Sequence, residues 1–139
     1  MRLWHKDLIE VLPRQQLLGQ WRECCLIAKN IVEKGSPNHI LVNRIMDYDI
    51  EHFKIYTRFV YAEMIKRGYK ANIFKFTKYL FGWDPLSVQE VFAGWHNNRY
   101  LIQCYYNLQE KYDCGSITDE EWSKIENRVI ELTRIDTHE

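Results

Sequence analysis

No apolar run in this chain approaches the roughly 20 residues needed to span a bilayer. The opening Met1-Arg2-Leu3-Trp4-His5-Lys6-Asp7 also lacks the uninterrupted apolar stretch of a secretory signal. A soluble, cytoplasmic protein without a membrane partner is therefore expected. There is no P-loop, no GxGxxG, no H-E-x-x-H and no GxSxG, which removes the common phosphate-binding, zinc and serine-hydrolase sites. The 4 cysteines, Cys24, Cys25, Cys104 and Cys114, show no C-x-x-C spacing. Cys24 and Cys25 would point in different directions on a helix, and no set of His and Cys stands at metal-ligand spacing. Reduced, mostly buried thiols are expected, with no metal and no cofactor. His5, His39, His52, His96 and His138 are scattered and read as surface or helix-packing residues.

Net charge is absent too, 19 Lys and Arg balancing 19 Asp and Glu. Neutrality does not advertise nucleic-acid binding, but the distribution is uneven. Residues 54–80 carry Lys54, Arg58, Lys66, Arg67, Lys70, Lys75 and Lys78 against the single acid Glu63, whereas residues 110–139 carry 9 acids against 4 bases. Such a chain can present one positive face, or simply solvated helix faces.

What is present is material for a core. Hydrophobic residues make up 46% and aromatic residues 14%, too much for a disordered chain. The 139 residues suit one domain over 1–139, since domains commonly run to about 100–150 residues.

The periodicity is helical. Leu17, Trp21, Cys24 (or Cys25), Ala28 and Ile31 recur at three- and four-residue steps. Pro13 suits the first turn of that helix. Gly35-Ser36-Pro37 ends it and offers a capping Ser with Pro at the next first turn. Asp49 to Arg67 form a second helix on the stripe Ile50, Phe53, Tyr56 (with Thr57), Val60 and Met64, with Gly68 as its stop. Short helices fit residues 38–46 and 72–81, and a longer one fits about 96–112, ending before Cys114-Gly115. Thr118-Asp119-Glu120-Glu121 is a capping box that opens a last, acidic helix to about residue 133. The fold class expected is all-α, an irregular helical bundle.

Chemistry concentrates in Leu12-Pro13-Arg14-Gln15-Gln16-Leu17-Leu18-Gly19-Gln20-Trp21-Arg22-Glu23. At 100° per residue Gln16, Gly19, Gln20, Glu23 and Ile27 share one side, and the Leu17–Trp21 stripe turns away from it. A mid-helix Gly costs about 1 kcal/mol relative to Ala. Gly19 is thus explained if a substrate or another chain segment approaches the backbone there, or if helices pack tightly. Trp95, Tyr100, Tyr105 and Tyr106 stand at helical spacing and read as core.

The Leu12–Glu23 segment, with Gln15, Leu17 and the run Trp21-Arg22-Glu23, resembles the phage endonuclease V family of pyrimidine-dimer DNA glycosylases. Tyr48-Asp49-Ile50, Phe53, Arg58, Glu63 and Lys66-Arg67-Gly68-Tyr69 are similar to that family's second long helix and its exit, and Met1-Arg2-Leu3 to its basic-aliphatic start. The likeness covers roughly the first 70 residues.

The resemblance implies a DNA-repair glycosylase and apurinic-site lyase acting on damaged double-stranded DNA. Its nucleophile is the N-terminal α-amine and its essential acid is Glu23. An α-amine has a reference pKa near 7.7–8.0, so part of it is neutral at pH 7, unlike Lys near 10.4. Arg2 after Met1 opposes removal of the initiator, which assigns the nucleophile to Met1. The Met1–Glu23 spacing is then one residue longer than the family's, an insertion most easily absorbed in a loop before Pro13. Arg2, Arg14 and Arg22, close to the proposed centre, would hold phosphates of a kinked duplex, with Lys6 a lesser candidate. Gln15 and Gln16 would reach the backbone or an extruded base. Two alternatives stay open. One is a non-catalytic module binding nucleic acid or protein, with the N-terminus buried or distant, or Glu23 paired to Arg14 or Arg22. The other is a lyase for a different base lesion.

Overall fold

The computed structural model describes residues 1–137 and is all-helical over them, with no strand among the described residues; His138 lies outside them. A 3-10 helix at Lys6–Val11 precedes α1 (Arg14–Lys34), and a second 3-10 helix at Asn43–Asp47 leads into α2 (Ile50–Lys66). A single turn, α3 (Phe74–Thr77), is followed after a long connection by α4 (Asn98–Asp113) and α5 (Asp119–Thr137).

The element ends follow local chemistry. Pro13 is the residue before the first helical position of α1, one place earlier than expected. Gly35 closes α1 with a left-handed φ of 82°, which a residue without Cβ adopts at least cost. The Asp49 side chain accepts from the Glu51 N–H at the start of α2. Thr118 and Glu121 form the anticipated box: the Thr118 hydroxyl accepts from the Glu121 N–H, and the Glu121 carboxylate accepts from the Thr118 N–H, both at 3.1 Å.

Several expectations need correction. The Ser36 hydroxyl accepts from the Asn38 N–H at 3.2 Å within a turn, and no helix starts at Pro37. Of the 38–46 stretch only 43–46 are helical, within the 3-10 helix Asn43–Asp47, and of 72–81 only 74–77. The stretch before Pro13 is not a loop but the first 3-10 helix, which buries Leu8 and Ile9. Cys24 and Cys104 are buried free thiols, whereas Cys114 is exposed. Tyr106 is 57% exposed and stands outside the core.

Helix α2 packs across α1, with the first 3-10 helix resting on α2 and α5, α4 pairing with α5, and α3 leaning on α1. One continuous core joins Leu17, Trp21 and Cys24 of α1 to Phe53, Tyr56 and Val60 of α2 and to Leu101, Cys104 and Leu108 of α4. Trp122 of α5 stacks on Tyr112 (5.0 Å) and Tyr105 (5.1 Å) of α4, sealing that seam. Arg67 at the end of α2 donates to Glu63 (2.7 Å), to the Leu12 carbonyl (2.7 Å) and to the Glu10 carbonyl (3.0 Å). That clasp fixes the turn from which α1 departs, and so fixes where Glu23 comes to lie.

Candidate active site

Residues 1–5 have no regular secondary structure, so their backbone polar groups need partners elsewhere. Side chains from three helices supply them, and a loop histidine takes the N–H of the next residue. Gln20 of α1 accepts from the Trp4 N–H at 2.7 Å through Oε1 and donates to the Arg2 carbonyl at 3.0 Å through Nε2. The Tyr56 hydroxyl of α2 donates to the Trp4 carbonyl at 2.6 Å and lies 3.0 Å from Gln20 Oε1. The Tyr100 hydroxyl of α4 donates to the Leu3 carbonyl at 2.6 Å. The Lys6 N–H donates to Nδ1 of His96 at 2.9 Å.

This clasp brings the chain start back onto α1. Met1 and Glu23 line one cavity of about 300 Å³, together with Arg2, Trp4, Asn107, Glu110 and Lys111. The amine and the carboxylate were thus expected together and are found together. Arg2 is there as well, its guanidinium 5.2 Å from the Trp4 ring centroid. A hollow of about 320 Å³, walled by Lys6, Phe59, Glu63 and Arg128 among others, includes neither Met1 nor Glu23.

Burial raises the Glu23 carboxyl above the ordinary carboxylate range, against the opposing influence of the α-amine charge, the Arg2 backbone N–H, His39 and the Arg2 guanidinium. Gln20 Nε2 lies 3.4 Å from Glu23 Oε2. Among the described residues Glu23 forms an ion pair with neither Arg14 nor Arg22. The chain start is neither distant nor fully buried, Met1 being half-buried. Neither arrangement anticipated for a non-catalytic module is therefore present. The cleft is mixed in charge: Arg2, Lys111 and the amine face Glu23 and Glu110.

The remaining candidates lie along α1. Arg22 is exposed beside Glu23. Arg14 is not close to the centre, being nine residues earlier, about 14 Å along the axis at 1.5 Å per residue. Its backbone N–H donates to Glu121 at 3.0 Å, and its guanidinium lies 5.7 Å from the Tyr69 ring centroid. Gln15 is exposed; Gln16 is half-buried, with an Oε1 that is buried and has no hydrogen-bond partner among the described residues. Gly19 has nothing within 4 Å of where a Cβ would stand. Neither tight helix packing nor another chain segment explains that glycine.

Gln20, Tyr56, Tyr100 and His96 were not among the sequence candidates, nor were Asn107, Glu110 and Lys111. A Tyr inside an apolar stripe carries a hydroxyl that must find a partner, so Tyr56 gave one usable signal. Which backbone atom it reaches depends on residues 52 positions away.

An all-helical fold that returns its first residue to a helix carboxylate defines a helical protein with an amine and an acid sharing one cleft. A family model described as pyrimidine dimer DNA glycosylase matches residues 1–77, more than half of the 139 residues. The chain belongs to the pyrimidine dimer DNA glycosylase family, which sets it among DNA-repair enzymes that act on DNA. No curated protein and no solved structure matches the chain. The matched stretch includes residues 1–5, α1 and α2, whereas Asn107, Glu110 and Lys111 come from α4 beyond it.

Proposed function

We propose that this protein excises a damaged base from double-stranded DNA, with pyrimidine dimers as the lesion, and then cleaves the abasic strand through a Schiff base on the Met1 α-amine. The observation that carries this reading is the shared cavity of Met1 and Glu23. The amine nitrogen bonds to C1′ of the deoxyribose as the glycosidic bond breaks, and the electron pair leaves with the base, which takes up a proton. Loss of a nitrogen proton and opening of the C1′–O4′ bond, with O4′ protonated, give the iminium. The iminium acidifies C2′; removal of that proton expels the 3′ phosphate, and water then frees the amine. No cofactor enters these steps.

Glu23 stabilises the developing positive charge as a carboxylate and carries the protons of ring opening and elimination. A carboxyl raised by burial suits proton transfer nearer neutral pH better than an ordinary one. Arg2 and Arg22 hold phosphates beside the cleft, and Arg14, Gln15 and Gln16 extend the contact more weakly toward the start of α1. The cytoplasm, where thiols stay reduced, suits the four free cysteines.

The test is borohydride trapping on duplex DNA with one abasic site, using protein whose Met1 amine is free. We expect an adduct that mass spectrometry maps to Met1, lost when the amine is blocked. Trapping by Glu23→Gln should be slower by about 100-fold or more, as for removal of a positioned acid–base group. An adduct on a lysine, or none from folded protein, would sink the reading.

A further inference from the structure

We infer that Gln20 is the positioning residue of this site, holding the amine-bearing strand and the Glu23 carboxylate in one register; this rests on the lyase reading above. Gln20 is 1% exposed on the helix face where an apolar residue would bury at less cost. Its side-chain amide offers an acceptor oxygen and two donor protons, and both ends are engaged. Oε1 takes the Trp4 N–H at 2.7 Å and lies 3.0 Å from the Tyr56 hydroxyl, whose proton goes to the Trp4 carbonyl, while Nε2 faces the Arg2 carbonyl at 3.0 Å and Glu23 Oε2 at 3.4 Å. The amide cannot turn over. A flipped group would set its NH₂ against the Trp4 N–H and its oxygen against the Arg2 carbonyl, replacing attraction by repulsion on both sides.

Anchoring alone would need only the backbone bonds. The contact to Glu23 goes beyond that, so one rigid amide joins the backbone beside Met1 to the carboxylate. With the Arg2 carbonyl fixed, only the few torsions between it and the Met1 nitrogen remain free. The amine is thereby confined near the acid before DNA arrives, which is where entropy is recovered in a two-centre reaction. Tyr56 secures the arrangement from the far side, donating to the Trp4 carbonyl and lying against Gln20 Oε1.

Two variants separate the halves of this role. Gln20→Met keeps the length and removes every bond. Gln20→Glu keeps the acceptor for the Trp4 N–H, loses the donor, and adds a negative charge beside Glu23. The other charged groups bearing on this place, namely the α-amine, Arg2, His39, Glu110 and Lys111, are the same in both. For Gln20→Met we expect faster amide exchange at Trp4 and single-turnover trapping slower by about 100-fold, as for a misplacement near 1 Å. Its dissociation constant for abasic duplex should stay within about twofold. For Gln20→Glu we expect Trp4 protection to persist while the acid limb of the trapping rate moves to higher pH, since a second negative charge disfavours ionisation of Glu23. A merely structural residue would lower the folded fraction without moving that limb.

Wild-type trapping rate in folded Gln20→Met, or an unmoved limb in Gln20→Glu, overturns the inference. Failure of the wild-type protein to trap would instead sink the lyase reading. The exchange at Trp4 then decides alone, and unchanged protection in Gln20→Met overturns the inference.

Discussion

His96 shows how a single side chain ties the chain start to pH. Its Nδ1 accepts the Lys6 N–H, so the neutral ring must carry its proton on Nε2, a buried atom without a hydrogen-bond partner among the described residues. Burial, then the charges of His5, Lys6 and Arg44, push the ring down to about 2. An unfolded histidine titrates near 6.5, so below that pH the unfolded chain binds a proton that the folded one refuses. Stability from this group is therefore fully present above pH 6.5 and is lost as pH falls toward 2, by up to about 2 kcal/mol at pH 5. His5 is also lowered by burial and acts in the same direction. Denaturant melts at pH 7.5 and 5.0 should show this loss, and His96→Gln, which can still accept from Lys6, should show a smaller one. An equal loss in both proteins would remove His96 from the account. Little of this was visible beforehand: His96 read as a surface or packing residue because its partner is 90 positions away. The pairing of Met1 with Glu23 could be anticipated only through family likeness, since nothing in their spacing brings them together.

Elements with their own chemical boundaries were legible. Asp49 and Gly68 bracket α2, and Thr118 with Glu121 opens α5, because caps are local and need no tertiary partner. The first 3-10 helix was missed: six residues are too few to show a period, and Leu8 and Ile9 are held by α2 and α5 rather than by propensity. The acidic α5 acquires a role at this scale. Its Glu121 carboxylate accepts from the Arg14 N–H and lays negative charge at the N-terminus of α1, where the helix dipole favours it. Gly19, in the middle of α1 with open space around it, gives an element-scale test. Gly19→Ala should stabilise the protein by about 0.5–1 kcal/mol, since Ala gains helix propensity and meets no neighbour. If substrate passes over that face, the same change will weaken binding to abasic duplex while raising the melting temperature. A destabilised variant would contradict the open space.

The charge of the whole molecule sets how it can hold DNA. A chain of zero formal charge has no long-range attraction to spare, so affinity must come from a few placed cations and fade with salt. Arg22 stands beside Glu23 on the exposed side of α1, whereas Arg14 lies against Tyr69 near the far end. Arg22→Ala should weaken binding to duplex and reduce the slope of log K against log salt by about 1. Arg14→Ala should change both much less. Equal effects would mean that the duplex runs the length of α1. The all-helical class was readable from periodicity alone, but the cleft's mixed charge was not. Glu110 and Lys111 reach it from α4, beyond the part of the chain where family likeness gave guidance.

The clasp around residues 3–6 also has a consequence for the order in which the protein is made. The Leu3 carbonyl and the Lys6 N–H wait for Tyr100 and His96, partners 97 and 90 residues later in the chain. During synthesis the chain start leaves the ribosome first, yet its seat is complete only after α4 has emerged. Until then Gln20 and Tyr56 can hold Arg2 and Trp4, but the Leu3 carbonyl and the Lys6 N–H between and after them are without their partners. A nascent or truncated chain lacking α4 thus has its start held from α1 and α2 alone, and the remaining anchors arrive with the last third of the fold.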